Sequence, residues 1–355
     1  RQLKTTTGLA DFCSNDYLGL ARSEKLRQCI LQEEVNYRHL PLGATGSRLL
    51  SGNHPLFEEL ETIVAAYHQG ESALLYTSGY TANVGLLSAL PQRGDTVFYD
   101  EASHASMKDG LRLSFARSYS FRHNDVQDLA GKLKLATGQV FVVVESVYSM
   151  DGDKAPLREL ATLCEAHNAA LIVDEAHAVG LYGDKGEGLT AALGLADKVF
   201  AQVITYGKAM GSHGAAIVGS AVLREYLLNY SRAFIYTTGL PTHALLAIKC
   251  AYPLLPQLQP ERDRVKQLAR QLYERLNTSK GIQCTPADSV ILSVSVEDAT
   301  KLKPLAFALQ QQGFDVRPVL SPTVPKGSER LRIIVHAFNT EEEIVGLAQA
   351  ISNQI

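Results

Sequence analysis

The segment Ile204-Thr205-Tyr206-Gly207-Lys208-Ala209-Met210-Gly211 places a lysine at the end of a predicted buried strand. The apolar run at 199–204 predicts that strand. Glycines and small side chains follow the lysine, so there is little bulk around its amine. Lys208 is therefore either a solvated charge in a turn, where most lysines lie, or an amine that forms a Schiff base.

The composition indicates a cytoplasmic globular protein. The 355 residues are 46% hydrophobic and 20% charged, which supports a large core and about two domains. The net charge is −3 with no long Lys/Arg block, which argues against a nucleic-acid surface. No apolar run reaches the roughly 18 residues of a membrane span. The five cysteines, without a Cys-x-x-Cys pair, argue against disulfides and for the reducing cytosol. Since the first residue is not Met, we expect the natural chain to begin earlier.

Apolar segments alternate with amphipathic ones through the first two thirds of the chain. We predict strands at 73–77, 96–99, 140–144, 170–173, 199–205 and 215–218, and helices at 24–38, 55–68, 81–90, 105–115, 125–136, 156–167 and 221–232. Short apolar strands separated by helices predict a mostly parallel central sheet with helices on both faces. In such sheets ligands bind beyond the carboxyl ends of the strands.

The pattern changes after residue 241. A helical region at 242–277 contains Pro253, Pro256 and Pro260, so it must bend or break. A smaller α/β unit follows, with strands at 290–296 and 331–335 and helices at 300–312 and 340–352. We therefore expect an N-terminal segment at 1–30, a large α/β domain at 31–245 and a C-terminal α/β domain at 246–355.

Two predicted strands are followed by residues that suit a flat, phosphorylated ligand. The segment Thr77-Ser78-Gly79-Tyr80-Thr81 lies between a strand and a helix. It is either a helix cap or an anion site, in which the backbone of Gly79 and Tyr80 would do most of the binding. His104 follows the next strand and is either structural or lies flat against an aromatic ligand.

Two further strand ends carry a hydroxyl and a carboxylate. The segment 145–153 is either a turn, as its Asp-Gly pair indicates, or a loop that presents the Ser149 hydroxyl to the cleft. Asp174-Glu175-Ala176-His177 follows another strand. A carboxylate there is poorly solvated and needs a partner. Asp174 therefore either caps a loop or pairs with a cationic ring nitrogen.

Other motifs do not account for these residues. A helicase-type ATPase needs Gly-x-x-x-x-Gly-Lys-[Ser/Thr], but Gln202 and Ala209 stand where the first glycine and the hydroxyl belong. A zinc site built from Asp174, His177 and His104 lacks any His-Glu-x-x-His spacing, so we predict no metal. The Gly-x-Ser-x-Gly of serine hydrolases is absent, and the glycine-rich loop at 43–53 does not match a dinucleotide fingerprint.

Considered together, these strand ends suit pyridoxal phosphate. They supply an anion cup, a flat histidine, a hydroxyl, a carboxylate and a lysine, all in one α/β unit. Pyridoxal phosphate requires a lysine for its Schiff base and a carboxylate on its pyridinium nitrogen, which keeps the ring an electron sink.

The chain resembles the α-oxoamine synthase family of fold-type I pyridoxal-phosphate enzymes nearly from end to end. The motifs that carry the resemblance are Ser14-Asn-Asp-Tyr-Leu-Gly-Leu20, Thr77-Ser-Gly-Tyr80, His104-Ala-Ser-Met-Lys-Asp-Gly110, Ser149-Met-Asp-Gly-Asp153, Asp174-Glu-Ala-His177, Thr205-Tyr-Gly-Lys208 and Arg330-Leu-Arg332. The segments 211–216 and 321–327 are most similar to the biotin-pathway member. The resemblance implies the fold-type I transferase architecture, with a smaller C-terminal α/β domain.

The resemblance also implies the residues that hold the cofactor. Lys208 would form the Schiff base and move the substrate's α-proton, Asp174 would pair with the ring nitrogen, and His104 would stack on the ring. The remaining implied contacts are His177 and Ser149 to the ring 3′-oxygen, and Gly79, Tyr80 and Thr205 to the phosphate side. Thr237 or Thr238 would reach the phosphate of the neighbouring subunit, which implies a homodimer.

The implied reaction is the decarboxylating condensation of an amino acid with an acyl thioester to give an α-amino ketone. L-alanine and a pimeloyl thioester, as acyl-CoA or acyl-carrier protein, are the expected substrates. Asn15 and Arg332 would hold the amino acid's carboxylate, and Thr323 would line the acyl site. The alternatives are a sister enzyme of the glycine C-acetyltransferase or serine palmitoyltransferase type, a fold-type I aminotransferase or lyase, and a non-catalytic relative. Release of a free thiol from alanine and an acyl thioester would distinguish the condensation from the last two.

Overall fold

The computed structural model describes residues 8–279, 281–296 and 298–354 and divides the chain into two units. The first unit comprises Arg1–Gly19, Ser149–Asp153 and Leu258–Ile355. The second unit comprises Leu20–Tyr148 and Lys154–Gln257. The expected boundaries at 30 and 245 fall inside the helices Glu24–Asn36 and Thr242–Ala251, which both belong to the second unit.

The secondary structure alternates along most of the chain. The strands are β1 (Ala10–Asp11), β2 (Ser72–Tyr76), β3 (Thr96–Asp100), β4 (Arg117–Phe121), β5 (Val140–Glu145), β6 (Ala169–Asp174), β7 (Ala201–Thr205), β8 (Ala215–Gly219), β9 (Ile282–Thr285), β10 (Ile291–Val296), β11 (Phe314–Asp315), β12 (Arg317–Val319) and β13 (Arg330–Ile334). The helices are α1 (Glu24–Asn36), α2 (Pro55–Tyr67), α3 (Gly79–Ala89), α4 (Ala105–Leu113), α5 (Val126–Leu133), α6 (Leu157–Ala166), α7 (Leu189–Ala192), α8 (Ala221–Tyr230), α9 (Arg232–Ile235), α10 (Thr242–Ala251), α11 (Gln259–Asn277), α12 (Leu302–Gln311) and α13 (Glu341–Ser352).

A seven-stranded sheet forms the centre of the second unit, in the order β2-β8-β7-β6-β5-β3-β4. β8 is antiparallel to both β2 and β7, and the other six strands run parallel to one another. Alternate residues of β5 face opposite sides, so Phe141 and Val143 join one apolar cluster while Val142 and Val144 join another. These two clusters lie on opposite faces of the sheet, and the prediction of a mostly parallel sheet covered on both faces is confirmed.

The edge strand β4 was not predicted from the sequence. Four of its five residues are exposed and only Phe121 is buried. Such a strand lacks the continuous apolar run that marks the buried strands of a parallel sheet. The helical region at 242–277 breaks as predicted, since α10 ends at Ala251 and α11 begins at Gln259.

The first unit contains a four-stranded antiparallel sheet in the order β12-β13-β10-β9. The segment around β1 belongs to this unit, because β1 pairs with β11 and the Ile334 N–H donates to the Phe12 carbonyl at 2.9 Å. Thr340 caps α13, with the Glu343 side chain bonding back to the Thr340 N–H. Among the helices of the described residues, none has the length and apolar character that would let it cross a membrane.

Candidate active site

Four loops of the second unit begin where a strand of the central sheet ends, and each carries predicted site residues. Gly79 and Tyr80 open α3 after β2, and His104 precedes α4 after β3. Asp174 is the last residue of β6 and Thr205 is the last residue of β7. Because the strands are parallel, these side chains lie at the same edge of the sheet.

The start of α3 brings backbone N–H groups and a buried hydroxyl together. Ser78 caps the helix in a reciprocal box with Thr81. The first N–H groups of a helix, here those of Gly79 and Tyr80, have no acceptor within the helix. A Cβ on Gly79 would lie 2.5 Å from Thr205 Cγ2, so only glycine permits this approach. Thr205 Oγ1 is buried and has no hydrogen-bond partner among the described residues, as expected for a hydroxyl that binds a phosphate.

Asp174 is a buried carboxylate held by two neutral donors. Its Oδ1 accepts from the Ala176 N–H at 2.9 Å, and its Oδ2 accepts from Asn83 Nδ2 at 2.7 Å. The side chain is 5% exposed. Both donors are neutral groups, so they orient the carboxylate without forming an ion pair with it.

His104 is exposed, and the surrounding protein disfavours the charged form of its imidazole. Its backbone N–H donates to Glu145 Oε1 at 2.7 Å, and its Nδ1 lies 2.7 Å from Ser106 Oγ. The pKa of the imidazole is lowered, chiefly by desolvation and then by the charge of Lys208, against the opposing effect of Asp174. A neutral ring with an exposed surface is suited to stack on a flat ligand.

Lys208 lies half-buried in a tight turn after β7. The Tyr206 N–H donates to the Gly214 carbonyl at 3.0 Å, and the Gly211 N–H donates to the Lys208 carbonyl at 2.8 Å. Gly211 has φ +61°, and a Cβ there would overlap the backbone at residues 20–21. The turn therefore fixes the backbone that carries the lysine side chain.

Glu175 holds the segment that contains His177. Its carboxylate accepts from Ser146 Oγ at 2.8 Å and from the backbone N–H groups of Leu189 at 2.9 Å and Thr190 at 2.6 Å. Burial raises the pKa of the Glu175 carboxyl. His177 is buried two residues later.

A second group of predicted residues lies in the first unit. Arg332 donates from Nε to the Ser149 carbonyl at 2.6 Å and from Nη2 to Asn15 Oδ1 at 3.1 Å. Arg330 points the same way, two residues earlier on β13, and binds Asp151. The structure thus joins Asn15, Ser149 and Arg332. Thr323 is exposed in the same unit, in a turn closed by its N–H to the Leu320 carbonyl at 2.9 Å.

Thr237 and Thr238 lie beside the glycine-rich loop at 43–53. Thr238 forms a bridge with Ser47, and the Gly239 N–H donates to the Gly46 carbonyl at 3.0 Å. Both threonines line a small cavity that Thr77 also lines.

Sequence reasoning missed three residues that support the site: Asn83, Ser106 and Glu145. All three are buried and hydrogen-bonded to Asp174 or His104. A signal existed for Asn83, because it is an amide among the apolar and small residues 82–87 of α3. In the part of the chain that the structure describes, no three His, Cys, Asp or Glu side chains are grouped as metal ligands.

Comparison with known proteins gives consistent results. The family model described as aminotransferase class I and II matches residues 7–351. The chain is 41% identical over 369 residues to an 8-amino-7-oxononanoate synthase of Emericella nidulans, covering 96% of this chain and 88% of that protein. It is also similar in structure to a variant serine palmitoyltransferase from S. paucimobilis with bound PLP–myriocin aldimine (TM-score 0.90, 29% identity, 97% and 86% covered). The 8-amino-7-oxononanoate synthase of Francisella tularensis superposes with a TM-score of 0.83 at 27% identity, covering 97% of each chain.

Proposed function

Since the chain belongs to the aminotransferase class I and II family, we propose that it is a pyridoxal-phosphate-dependent acyltransferase. The proposed reaction condenses L-alanine with a pimeloyl thioester, releasing the thiol and CO2 and giving 8-amino-7-oxononanoate, an intermediate of biotin synthesis. The observation that carries this proposal is the near full-length similarity to 8-amino-7-oxononanoate synthases, combined with a lysine, a buried carboxylate and a histidine at the strand ends of one sheet.

The residues of the second unit suit the proposed cofactor. When bound, pyridoxal phosphate supplies an aldehyde for an amine and a cationic ring that stabilises negative charge on carbon. Lys208 would provide the amine for that aldehyde, and the Asp174 carboxylate would pair with the ring nitrogen, because an opposite charge favours the cationic form. The N–H groups of Gly79 and Tyr80 and the unpaired Thr205 hydroxyl would bind the phosphate.

Proton movement is assigned to Lys208. Its amine would act as the general base for the α-proton of the amino acid and would return a proton to the product carbon. His104 would cover the ring, and His177 and the Ser149 hydroxyl are the residues proposed for its 3′-oxygen.

The residues of the first unit would hold the substrates. Arg332 and Asn15 bind the carboxylate of the amino acid, which orients its α-hydrogen for removal. Thr323 lines the acyl site.

We also propose a homodimer, with Thr237 or Thr238 reaching the phosphate bound by the partner subunit. Exposed apolar side chains adjoin these threonines, namely Leu42, Leu49, Leu50 and Tyr236. The segments that carry them are linked, since the Thr242 N–H donates to the Leu42 carbonyl at 3.3 Å. An exposed apolar patch of this kind is expected to bury itself against another chain. The five free cysteines suit a reducing compartment such as the cytosol.

A spectral titration tests the substrate assignment. The purified protein, loaded with pyridoxal phosphate, is titrated with alanine, glycine, serine and threonine while the cofactor's visible absorption is recorded. We expect alanine to perturb the absorption at the lowest concentration. A response to glycine alone or serine alone would instead assign the chain to a sister enzyme.

A further inference from the structure

Four side chains of the second unit form a hydrogen-bonded chain that begins at Asp174 and ends at His104. Asn83 Nδ2 donates to Asp174 Oδ2 at 2.7 Å and to Ser106 Oγ at 3.1 Å. Ser106 Oγ in turn lies 2.7 Å from His104 Nδ1. Asn83 is 3% exposed and Ser106 is fully buried, so water does not compete for these bonds.

The direction of each hydrogen bond in this chain follows from Asp174. An ionised carboxylate only accepts, so the amide nitrogen of Asn83 must face it. The second hydrogen on that nitrogen points to Ser106 Oγ, whose own proton is left to donate to His104 Nδ1. The Ser106 backbone N–H also donates to this Nδ1, at 3.2 Å. His104 Nδ1 is therefore an acceptor, and the ring proton resides on Nε2.

We propose that Asn83 and Ser106 are positioning residues that hold His104 as the neutral imidazole protonated on Nε2, with the Asp174 carboxylate setting this tautomer. The advantage of a neutral His104 ring rests on the proposed function. A neutral aromatic ring is attracted to the face of a cationic cofactor ring, whereas an imidazolium would be repelled by it.

Five charged residues act on or contact His104: Asp174 on β6, Glu145 on β5, Lys208 after β7, and Lys108 and Asp109 on α4. The carboxylates of Asp174 and Asp109 favour the imidazolium, while the two lysines and desolvation oppose it. The hydroxyl and the backbone N–H of Ser106 also favour the neutral imidazole, because a protonated Nδ1 could not accept hydrogen bonds from them.

The test measures the protonation of His104 directly. Imidazole carbon spectra are recorded against pH on the full chain labelled at histidine, with and without pyridoxal phosphate, and His104 is assigned from the His104→Asn variant. We expect the Nε2-protonated tautomer in the unmodified chain. Ser106→Ala loses the hydroxyl donor to Nδ1. In this variant the pH midpoint of the His104 titration should rise by about half a pH unit or more.

Two further variants sharpen the comparison. Ser103→Ala is the matched control, because the Ser103 hydroxyl is equally buried, three residues away, and has no hydrogen-bond partner among the described residues. It should leave the midpoint unchanged. Asn83→Asp is nearly isosteric. When the new carboxyl donates its proton to Asp174, it presents an acceptor to Ser106, and the Ser106 hydroxyl then donates to that acceptor instead of to His104 Nδ1. The midpoint should therefore rise as in Ser106→Ala. The acid limb of the pH–activity profile should move upward by the same amount in both variants.

An Nδ1-protonated tautomer in the unmodified chain would overturn the proposal, as would equal midpoints in Ser106→Ala and Ser103→Ala. A midpoint that rises while the acid limb stays in place would overturn the link to catalysis. These outcomes are separable from failure of the proposed function, because the tautomer is also measured without the cofactor. A chain that shows the expected tautomer and yet does not bind pyridoxal phosphate would refute the function alone.

Discussion

The Arg332 guanidinium donates to Asn15 Oδ1 across 3.1 Å and so joins two residues that are 317 positions apart. Asn15 Oδ1 also accepts from the Tyr17 hydroxyl at 3.2 Å, and Arg332 Nε donates to the Ser149 carbonyl. A guanidinium carries five N–H donors, so these bonds fix its plane and leave donors for a carboxylate. The guanidinium is thus already oriented for the amino-acid carboxylate that we propose it binds.

Replacing this guanidinium should weaken amino-acid binding more than turnover. Arg332→Lys retains the charge and loses the planar fork, so we expect KM for alanine to rise by about 10- to 100-fold. Steady-state kinetics with varied alanine measure the change. Arg317→Lys is the matched control, since Arg317 lies opposite Arg332 on β12 and its partner is Asp315. An unchanged KM in Arg332→Lys would rule out the carboxylate role.

Gly79 admits the Thr205 side chain, and an added methyl group would close that space. In Gly79→Ala the cup should lose its fit for a phosphate, and we expect affinity for pyridoxal phosphate to fall by about tenfold or more, the equivalent of one charge-assisted hydrogen bond. Equilibrium dialysis measures the affinity of each variant for pyridoxal phosphate. Gly131→Ala, where nothing lies within 4 Å of the new Cβ, should bind the cofactor as the unmodified chain does. Equal affinities in the two variants would contradict the assignment of the anion site.

The buried ion pair between Arg48 and Glu61 should be a major contributor to stability. Glu61 also accepts from Arg224 Nη2 at 3.0 Å and from the Leu75 N–H at 2.9 Å. Glu61→Leu leaves the Arg48 charge buried without its partner, so we expect a loss of about 3–5 kcal/mol in the free energy of unfolding. Urea denaturation tests this. The exposed Arg270–Glu274 pair provides the control, and Glu274→Leu should have little effect. Similar losses in both variants would disprove the special role of the buried pair.

His68 should make the fold sensitive to acid. It is fully buried, its Nδ1 lies 2.8 Å from the Glu187 carbonyl, and burial lowers its pKa from 6.5 to about 4. Between these values the unfolded chain binds the proton and the folded chain does not. Stability should therefore fall as the pH decreases from 6.5 to 4, with a slope of up to about 1.4 kcal/mol per pH unit from this group.

Urea denaturation of His68→Gln at pH 7 and pH 5, at fixed protein and cofactor concentrations, measures that contribution. The variant should lose less stability between the two pH values than the unmodified chain. Replacing the exposed His243 by Gln should leave the acid slope as it was. If His68→Gln keeps the full slope, other groups account for the acid sensitivity.

The buried strands and the residues at their ends were predictable because parallel sheets have a strong sequence signal. β5 is buried throughout, and the residues proposed for the cofactor follow such strands at their carboxyl ends. β4 was not predictable, because it is polar and exposed and so lacks the apolar run of a buried strand. Its place at the edge of the sheet is defined only in the folded structure. Asn83 and Ser106 act through side-chain contacts that join α3 and α4, and such contacts are not encoded by local periodicity. For the same reason the pairing of the N-terminal β1 with β11 could not be read from either segment alone.

The central claim is a lysine-dependent, decarboxylating condensation, and its most direct test is the stoichiometry of the products. The purified protein is incubated with pyridoxal phosphate, L-alanine and pimeloyl-CoA, and free thiol and CO2 are measured together. We expect one CO2 for each thiol released, dependence of both on alanine, and loss of both in Lys208→Ala. Thiol release without CO2, or equal release of both from Lys208→Ala, would contradict the account.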